Sequence, residues 1–297
     1  MIGLVIKSTG KNSLVKAKNK VYKCTLRGNF RLENNFSNPI VSGDLVKIEI
    51  VNNENGIITE IFERENLFIK KSLKDNKAHV VGSNIDQILI ICSFKKPYTK
   101  LIFIDKCISA ANFYNIKPII VFNKIDLLQP EEINKLKEIE KKYSFIGINF
   151  CKISATNGFN LESLNKLLKD KKTLFLGNSG VGKSTIINLI SKSNQKIDSL
   201  SSKTGRGKQT TTFSEIFEID SKSLIVDSPG FKDFYFYNIE KEDVKYLFKE
   251  FIDLQKKCKF NNCLHLNEPN CEIKKNIGNK IWSKRFSSYL SIIKELS

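Results

Sequence analysis

Between residues 177 and 184 the chain reads Gly177-Asn178-Ser179-Gly180-Val181-Gly182-Lys183-Ser184, which fits the pattern G-x-x-x-x-G-K-[ST] in full. The apolar segment Thr173–Leu176 precedes it, and a helical pattern follows through Ile190. A glycine-rich turn between a strand and a helix lets backbone N–H groups and the helix N-terminus surround phosphates. The stretch therefore predicts a phosphate-binding loop in an α/β domain. We expect Lys183 to contact the phosphates and Ser184, next to Thr185, to bind Mg²⁺.

A second motif, Asn123-Lys124-Ile125-Asp126, follows the apolar strand predicted over Pro118–Phe122. The Asp126 carboxylate can accept hydrogen bonds from both N1–H and the 2-amino group of guanine, which adenine does not offer together. We expect Asn123 to brace the loop and the base edge, and the aliphatic stem of Lys124 to lie over the ring. The motif therefore predicts a preference for guanine nucleotides, GTP and GDP.

The motifs come in a permuted order. Ser154-Ala155-Thr156, whose Ala155 N–H is the expected donor to the guanine 6-oxo group, also precedes the phosphate loop. Thr210-Thr211-Thr212 and Asp227-Ser228-Pro229-Gly230 come last. In ordinary small GTPases the phosphate loop opens the domain, so this order indicates a circularly permuted GTPase.

The two late motifs are expected to hold Mg²⁺ and the γ-phosphate. Asp227 comes just after the apolar strand Ser223–Val226 and is placed to hold Mg²⁺ through water, and the Gly230 N–H would meet the γ-phosphate. Thr211 is our choice as the switch ligand of Mg²⁺ and as a catalytic residue alongside Lys183, although the choice among the three threonines stays open.

Near the C-terminus, Cys258-x4-Cys263-x-His265-x5-Cys271 offers three thiolates and an imidazole, a full tetrahedral set for Zn²⁺. A closed set of four ligands predicts one structural zinc ion, and incidental cysteines are the alternative. The other cysteines lie in apolar surroundings and are expected to be buried core thiols. These are Cys24, Cys92, Cys107 and Cys151.

The predicted fold is α/β with three parts. Residues 1–65 contain five short β-rich segments, which indicate an oligonucleotide-binding β-barrel, with a generic barrel as the alternative. Residues 66–236 alternate strands and helices, as in a doubly wound P-loop GTPase domain. Residues 237–297 are predicted to be helical, over Asp243–Leu254 and Lys280–Leu296, around the cysteine cluster.

The net charge of +18 favours a polyanionic partner, although lysine-rich genome composition could contribute to it. The basic side chains concentrate in residues 1–32, which contain no acidic residue. No segment approaches the roughly 18 apolar residues that a membrane span needs, and no signal-peptide pattern is present. We therefore expect a cytoplasmic protein without a membrane partner. A membrane-associated basic GTPase is the disfavoured alternative.

Together these motifs resemble the ribosome small-subunit-dependent GTPase A family, circularly permuted GTPases that act late in small-subunit assembly. The resemblance covers the whole chain and includes the signature Cys-x4-Cys-x-His-x2-Glu-Pro-x-Cys, which here contains Glu268 and Pro269. It implies binding to the 30S subunit and its 16S rRNA, GTP hydrolysis stimulated by the subunit, and release on hydrolysis. We expect a monomer. A module that uses GTP as a structural ligand without turnover is the main alternative.

One residue departs from the family pattern. Members usually have a histidine before the switch threonines, where this chain has Gln209. Ras-like enzymes place their water-orienting glutamine after the D-x-x-G motif, where this chain has Phe231. Gln209 is therefore our candidate for orienting the attacking water. A group supplied by the ribosome is the alternative.

Overall fold

The computed structural model describes residues 1–10, 12–27, 38–71, 78–192, 214–228 and 234–296. Several predicted features lie outside these ranges: Gln209, Thr210-Thr211-Thr212, Pro229-Gly230 and Phe231. Within the described residues, no helix is both long enough and apolar enough to cross a membrane.

Five strands form a closed barrel, as the sequence predicts. They are β1 (Ile2–Ser8), β2 (Ser13–Ala17), β3 (Lys20–Leu26), β4 (Leu45–Ile50) and β5 (Asn55–Ile61). The sheet runs β1-β2-β3-β5-β4, and the pairing of β1 with β4 closes it. Alternate side chains point inward, so Val5, Val15, Ile48 and Ile58 fill the interior.

Next along the chain is an antiparallel pair that the sequence analysis did not predict, β6 (Leu67–Lys71) and β7 (Ala78–Ser83). Phe68 of β6 is fully buried and stacks on Phe234, with ring centroids 5.9 Å apart. Lys71 N–H donates to the Tyr235 carbonyl at 3.0 Å. The pair therefore packs on the segment that follows the magnesium motif.

Six strands form the central part of the main sheet. They are β8 (Gln87–Ser93), β9 (Lys117–Asn123), β10 (Asn149–Lys152), β11 (Lys172–Leu176), β12 (Glu215–Glu218) and β13 (Leu224–Asp227). Their order is β10-β9-β8-β11-β13-β12, and all neighbours are parallel except β12 and β13. Parallel strands covered on both faces need continuous apolar runs, and β8 is buried along its whole length.

Eight α-helices occur in the described residues. They are α1 (Leu101–Phe113), α2 (Pro130–Phe145), α3 (Leu161–Leu168), α4 (Lys183–Lys192), α5 (Val244–Leu247), α6 (Ile252–Gln255), α7 (Glu272–Lys275) and α8 (Ser283–Leu296). Short 3₁₀ helices cover Ile125–Leu127 and Lys249–Phe251. Pro130 begins α2, a position that tolerates proline because a first-turn residue needs no N–H donor.

The prediction of one helix over Asp243–Leu254 is wrong, because the helix is interrupted at Phe248. Its backbone is extended, with φ −99° and ψ 96°. The Phe248 ring is fully buried, stacks on Phe251 at 5.2 Å and meets the Tyr289 ring at 5.4 Å. Tertiary packing of one aromatic side chain therefore overrides the local helical preference.

The barrel and the central strands form one continuous sheet, since β1 pairs with β12. Lys7 Nζ of β1 is 2.9 Å from Glu215 Oε2 of β12, and Lys16 forms an ion pair with Glu218. Ser42 Oγ also donates to the Ser214 carbonyl at 2.7 Å. Two of the N-terminal basic side chains therefore hold the barrel against the strand that follows the switch threonines.

The C-terminal helices share a hydrophobic core with α1 and do not form a separate one. A buried ion network crosses this interface. Arg285 of α8 donates to Asp105 Oδ1 of α1 at 2.8 Å and to Glu250 Oε1 at 2.7 Å, and Tyr143 Oη also donates to Asp105. Burial raises the pKa of the Asp105 carboxyl, and the charge of Arg285 opposes that rise.

Removing Arg285 should destabilise the protein strongly. Arg285→Met keeps side-chain bulk but leaves two buried carboxylates without their cation, which costs about 3–5 kcal/mol. Urea unfolding monitored by the fluorescence of Trp282, the single tryptophan of the sequence, measures the change. Lys294→Met, at an exposed position on the same helix, is the matched control and should unfold with the parent. Equal midpoints for both variants would show that the network contributes little.

Candidate nucleotide and metal sites

Four of the predicted nucleotide-binding segments meet at one edge of the sheet. The guanine motif begins at the end of β9, the Ser154 triplet follows β10, the phosphate loop follows β11, and Asp227 ends β13. Because β9, β10, β11 and β13 run in the same direction, their carboxyl ends lie side by side. This edge is where an open α/β sheet binds its ligand.

Asn123 ties three of these segments together. Its Nδ2 donates to the Val181 carbonyl at 3.0 Å, and its Oδ1 accepts from the Ala155 N–H at 3.0 Å. This is the same Ala155 N–H that the sequence assigns to the 6-oxo group of guanine. A Cβ on Gly182, where φ is +103°, would lie 2.2 Å from Asn123 Nδ2. Glycine is therefore required there for both conformation and space.

Lys124 lies across the phosphate loop. Its backbone is left-handed, with φ +65°, and its Nζ donates to the carbonyls of Gly180 and Lys96, both at 2.7 Å. Pro97, which follows Lys96, packs against Gly180. A Cβ added to Gly180 would lie 3.3 Å from the Pro97 Cδ. Lys96 and Pro97 are therefore part of the wall of the nucleotide site. Sequence reasoning missed them, because they match no nucleotide-binding motif.

The exposed Asp126 is oriented by a neighbouring hydroxyl. Ser154 Oγ donates to Asp126 Oδ1 at 2.5 Å. The Ser154 side chain is fully buried, which fixes the direction of this donor. Ser154 was predicted as a site residue without a role. Its position gives it one, which is to orient the carboxylate that the sequence analysis assigns to guanine.

Lys183 folds back onto its own loop. Its Nζ donates to the Gly177 carbonyl and lies 3.4 Å from the Asn178 carbonyl. Burial lowers the pKa of the Lys183 ammonium, and the nearby charge of Asp227 opposes this effect. A buried cation held by loop carbonyls is positioned to exchange them for phosphate oxygens.

Asp227 fits a magnesium site by its own chemistry. Its Oδ1 is buried and has no hydrogen-bond partner among the described residues. Burial raises the pKa of this carboxyl to about 6, while Lys183 lowers it and Glu215, paired opposite in β12, raises it. An unsatisfied buried carboxylate is costly unless a cation approaches it. Exposed Ser184, in the first turn of α4, offers the second oxygen at this edge.

The four predicted zinc ligands come together in space. The sulfur atoms of Cys258, Cys263 and Cys271 lie 3.8, 3.4 and 3.3 Å from His265 Nδ1. All four ligand atoms lie within 4.8 Å of one another, so the group could hold a metal ion. Burial lowers the pKa of His265 to about 4, so the ring is neutral and its Nδ1 can ligate.

A second layer of contacts fixes these ligands. Glu268 accepts hydrogen bonds from the N–H groups of Leu264 and Leu266, both at 2.7 Å, on either side of His265. Tyr289 Oη donates to the Leu264 carbonyl at 2.6 Å. Such outer contacts orient metal ligands. The remaining four cysteines are buried free thiols, as predicted.

Comparison with known proteins is consistent with this geometry. The family model described as the RsgA GTPase matches residues 61–237, and the RsgA N-terminal domain model matches residues 2–58. The chain belongs to the RsgA GTPase family. It is a GTP-hydrolysing enzyme whose GTPase domain is circularly permuted.

Relatives align with the RsgA-family chain over almost its whole length. The small ribosomal subunit biogenesis GTPase RsgA of Phocaeicola vulgatus is 36% identical, covering 99% of this chain and 97% of the relative. The protein of the same name from Azobacteroides pseudotrichonymphae is 39% identical, covering 100% of this chain and 97% of the relative. YjeQ from Thermotoga maritima has a similar structure, with TM-score 0.79 and 31% identity over 99% and 98%. YloQ, described as a circularly permuted GTPase, has a TM-score of 0.74 and 27% sequence identity, covering 99% of this chain and 94% of YloQ.

Base selection should depend on Asp126. Asp126→Asn replaces a two-acceptor carboxylate by an amide, so GTP affinity should fall at least about 10-fold. Affinity for xanthosine triphosphate should rise, because its C2 carbonyl needs a donor. Titration with fluorescent analogues of both nucleotides measures the switch, and Glu131→Gln, an exposed carboxylate nearby, should bind GTP as the parent does. Unchanged GTP affinity in Asp126→Asn would refute the assignment.

The cysteine cluster should hold one structural zinc ion. Elemental analysis of protein purified without chelator should find one zinc per chain, and Cys271→Ser should lose it, because three ligands bind zinc far less tightly. Cys151→Ser changes a buried thiol outside the cluster and should retain the metal. A parent protein free of zinc, or a Cys271→Ser variant with full zinc content, would count against the site.

Proposed function

We propose that this chain binds the small ribosomal subunit through its 16S rRNA and uses GTP hydrolysis to time its release during subunit assembly. The relatives carry the name small ribosomal subunit biogenesis GTPase. The observation that carries the proposal is the convergence of the guanine motif, phosphate loop and Asp227 at one sheet edge. This is the arrangement of a nucleotide switch.

The proposed nucleotide contacts follow the motifs. Asp126, oriented by Ser154, reads the guanine edge, with Asn123 bracing the loops and Lys124 covering the ring. Phosphates are cradled by the loop from Gly177 to Thr185. Mg²⁺ would be held by Ser184, Asp227 and Thr211. When bound, it neutralises charge that develops on the phosphate oxygens.

The chain's own groups perform the remaining steps of hydrolysis. Lys183 exchanges loop carbonyls for phosphate oxygens and stabilises their charge. The Gly230 N–H meets the γ-phosphate, and Gln209 orients the attacking water. Phosphoryl transfer requires mainly positioning and electrostatic stabilisation, so these contacts account for the chemistry.

A basic patch on the barrel is proposed as one RNA contact. Lys18 lies in the turn between β2 and β3, Lys20 begins β3 and Lys23 lies within it. All three side chains are exposed, and none forms an ion pair in the part of the chain that the structure describes. Lys7 and Lys16, by contrast, are engaged with Glu215 and Glu218. Unpaired lysines can replace the counterions of RNA phosphates. The basic N-terminal residues therefore divide into an RNA face and a face that holds the sheet together.

We further propose a functional division of the chain into three parts. Two parts contact rRNA, the barrel of residues 1–65 and the zinc module in 237–297. The GTPase domain of residues 66–236 sets the time of release through GTP hydrolysis and is called the timer. Support comes from the pairing of β1 with β12, which joins the barrel to the strand that follows the switch. The zinc module joins α1 through Arg285, so both outer parts are anchored to the timer.

Purified small ribosomal subunits should stimulate GTP hydrolysis at least about 10-fold, the scale of a positioned catalytic group. Phosphate release is measured with and without subunits, with large subunits as the matched control. Lys183→Ala should abolish the stimulated rate, because the phosphate contact is lost. Equal rates with and without small subunits would instead favour GTP as a structural ligand.

In the same assay, Gln209→Ala should lower the stimulated rate about 10-fold while nucleotide binding persists. Gln209→His, which restores the residue usual in the family, should keep substantial activity. If Gln209→Ala hydrolyses GTP at the parent rate on saturating subunits, the water-orienting group is supplied by the ribosome.

A further inference from the structure

A cleft with a volume of about 870 Å³ lies between the GTPase domain and the C-terminal region. One wall is α2, a second is formed by Phe94, Tyr98 and Leu101, and the third by residues between 279 and 285 at the start of α8. None of the motifs that form the nucleotide or zinc sites lines the cleft. The cleft is therefore separate from both of those sites.

The charge of the cleft is strongly positive. Five of its lining residues are lysines, and none of them forms an ion pair among the described residues. They are Lys135, Lys141, Lys142, Lys280 and Lys284. Of the two lining carboxylates, Glu250 is neutralised by Arg285 at 2.7 Å, which leaves Glu138 to face the lysines. The cleft thus favours a polyanion.

Aromatic rings lie among these lysines. Phe145 is 74% exposed and Tyr98 is 54% exposed, so both rings are accessible to a ligand in the cleft. Trp282 packs edge-on against Tyr143 at 5.9 Å, and Lys284 Nζ lies 5.7 Å from the centre of its ring. Exposed rings beside cationic groups combine base stacking with phosphate binding.

We propose that this cleft binds a segment of single-stranded RNA, with its phosphates on the lysines and its bases against Phe145, Tyr98 and Trp282. The inference rests on the proposed function, since it assigns a second contact for the same RNA partner. An acidic peptide would use the lysines but would leave the exposed rings without a role. Unpaired bases use both, because every base has a face that stacks.

Trp282 provides a direct readout, because it is the single tryptophan of the sequence and lines the cleft. Titrating the full-length protein with a short oligouridylate should quench its fluorescence in a saturable manner. Anisotropy of the labelled RNA gives the affinity independently. Phe145→Ala and Tyr98→Ala should each weaken binding about 10-fold, the scale of one lost stacking contact.

Tyr246→Ala is the matched control, since Tyr246 is 55% exposed, has Lys245 Nζ 5.2 Å from its ring centre, and lies outside the cleft. It should bind RNA as the parent does. Unchanged GDP affinity and zinc content in every variant verify folding. RNA could instead change the anisotropy without quenching Trp282, and bind Phe145→Ala and Tyr98→Ala with the affinity of the parent. That result would place the RNA outside the cleft and overturn the inference.

Two further outcomes separate this inference from the proposed function. Polyglutamate that quenches Trp282 and competes as strongly as the RNA would replace RNA by an acidic peptide as the occupant, and would overturn the proposal. If small subunits stimulate hydrolysis equally in the parent and in both cleft variants, and oligouridylate leaves Trp282 fluorescence unchanged, the cleft proposal is refuted and the proposed function stands. Absence of stimulation in the parent would refute the proposed function itself.

Discussion

The parallel hydrogen bonding of β10, β9, β8, β11 and β13 is the constraint on which the rest of the structure depends. Among the described residues it places the four predicted nucleotide-binding segments at one edge, whatever the order of those segments in the chain. The phosphate-loop strand β11 lies between β8 and β13, although it is late in the sequence. Permutation changes the connections between strands and leaves the ligand edge intact, because hydrogen-bond partners and not chain order define that edge.

The permutation also explains why the barrel joins the central strands. The guanine-binding half comes first in the chain, and β12 follows the switch threonines in the sequence. β12 is the last of the six central strands and pairs with β1. Glu215 of β12 faces Asp227 on one side and forms an ion pair with Lys7 on the other. The barrel is therefore linked to the magnesium residue through two neighbouring strands, and a shift of β12 must alter both contacts.

Local signals in the sequence predicted the barrel, the permuted α/β domain and the cysteine–histidine cluster, since turn residues, metal-ligand spacing and apolar strands need no distant partner. They did not predict features created by distant packing. The helix expected across Phe248 breaks because that ring fills the interface with α8. The pair of β6 and β7 depends on Phe234, far along the chain. Likewise, the wall formed by Pro97 against Gly180 carries no motif that a linear pattern could reveal.

Both surfaces that we assign to RNA are connected to a nucleotide-binding segment through contacts between neighbouring elements. On one side, β2 pairs with β1, β1 pairs with β12, and β12 pairs with the strand of Asp227. On the other, Tyr98 lies beside Pro97 and Lys96, and the Lys96 carbonyl holds Lys124 over the phosphate loop. A partner that moves either link changes nucleotide affinity, and by thermodynamic reciprocity the nucleotide changes the affinity for that partner by the same factor. Under the proposed function, hydrolysis would therefore change the affinity of both surfaces for RNA through these contacts.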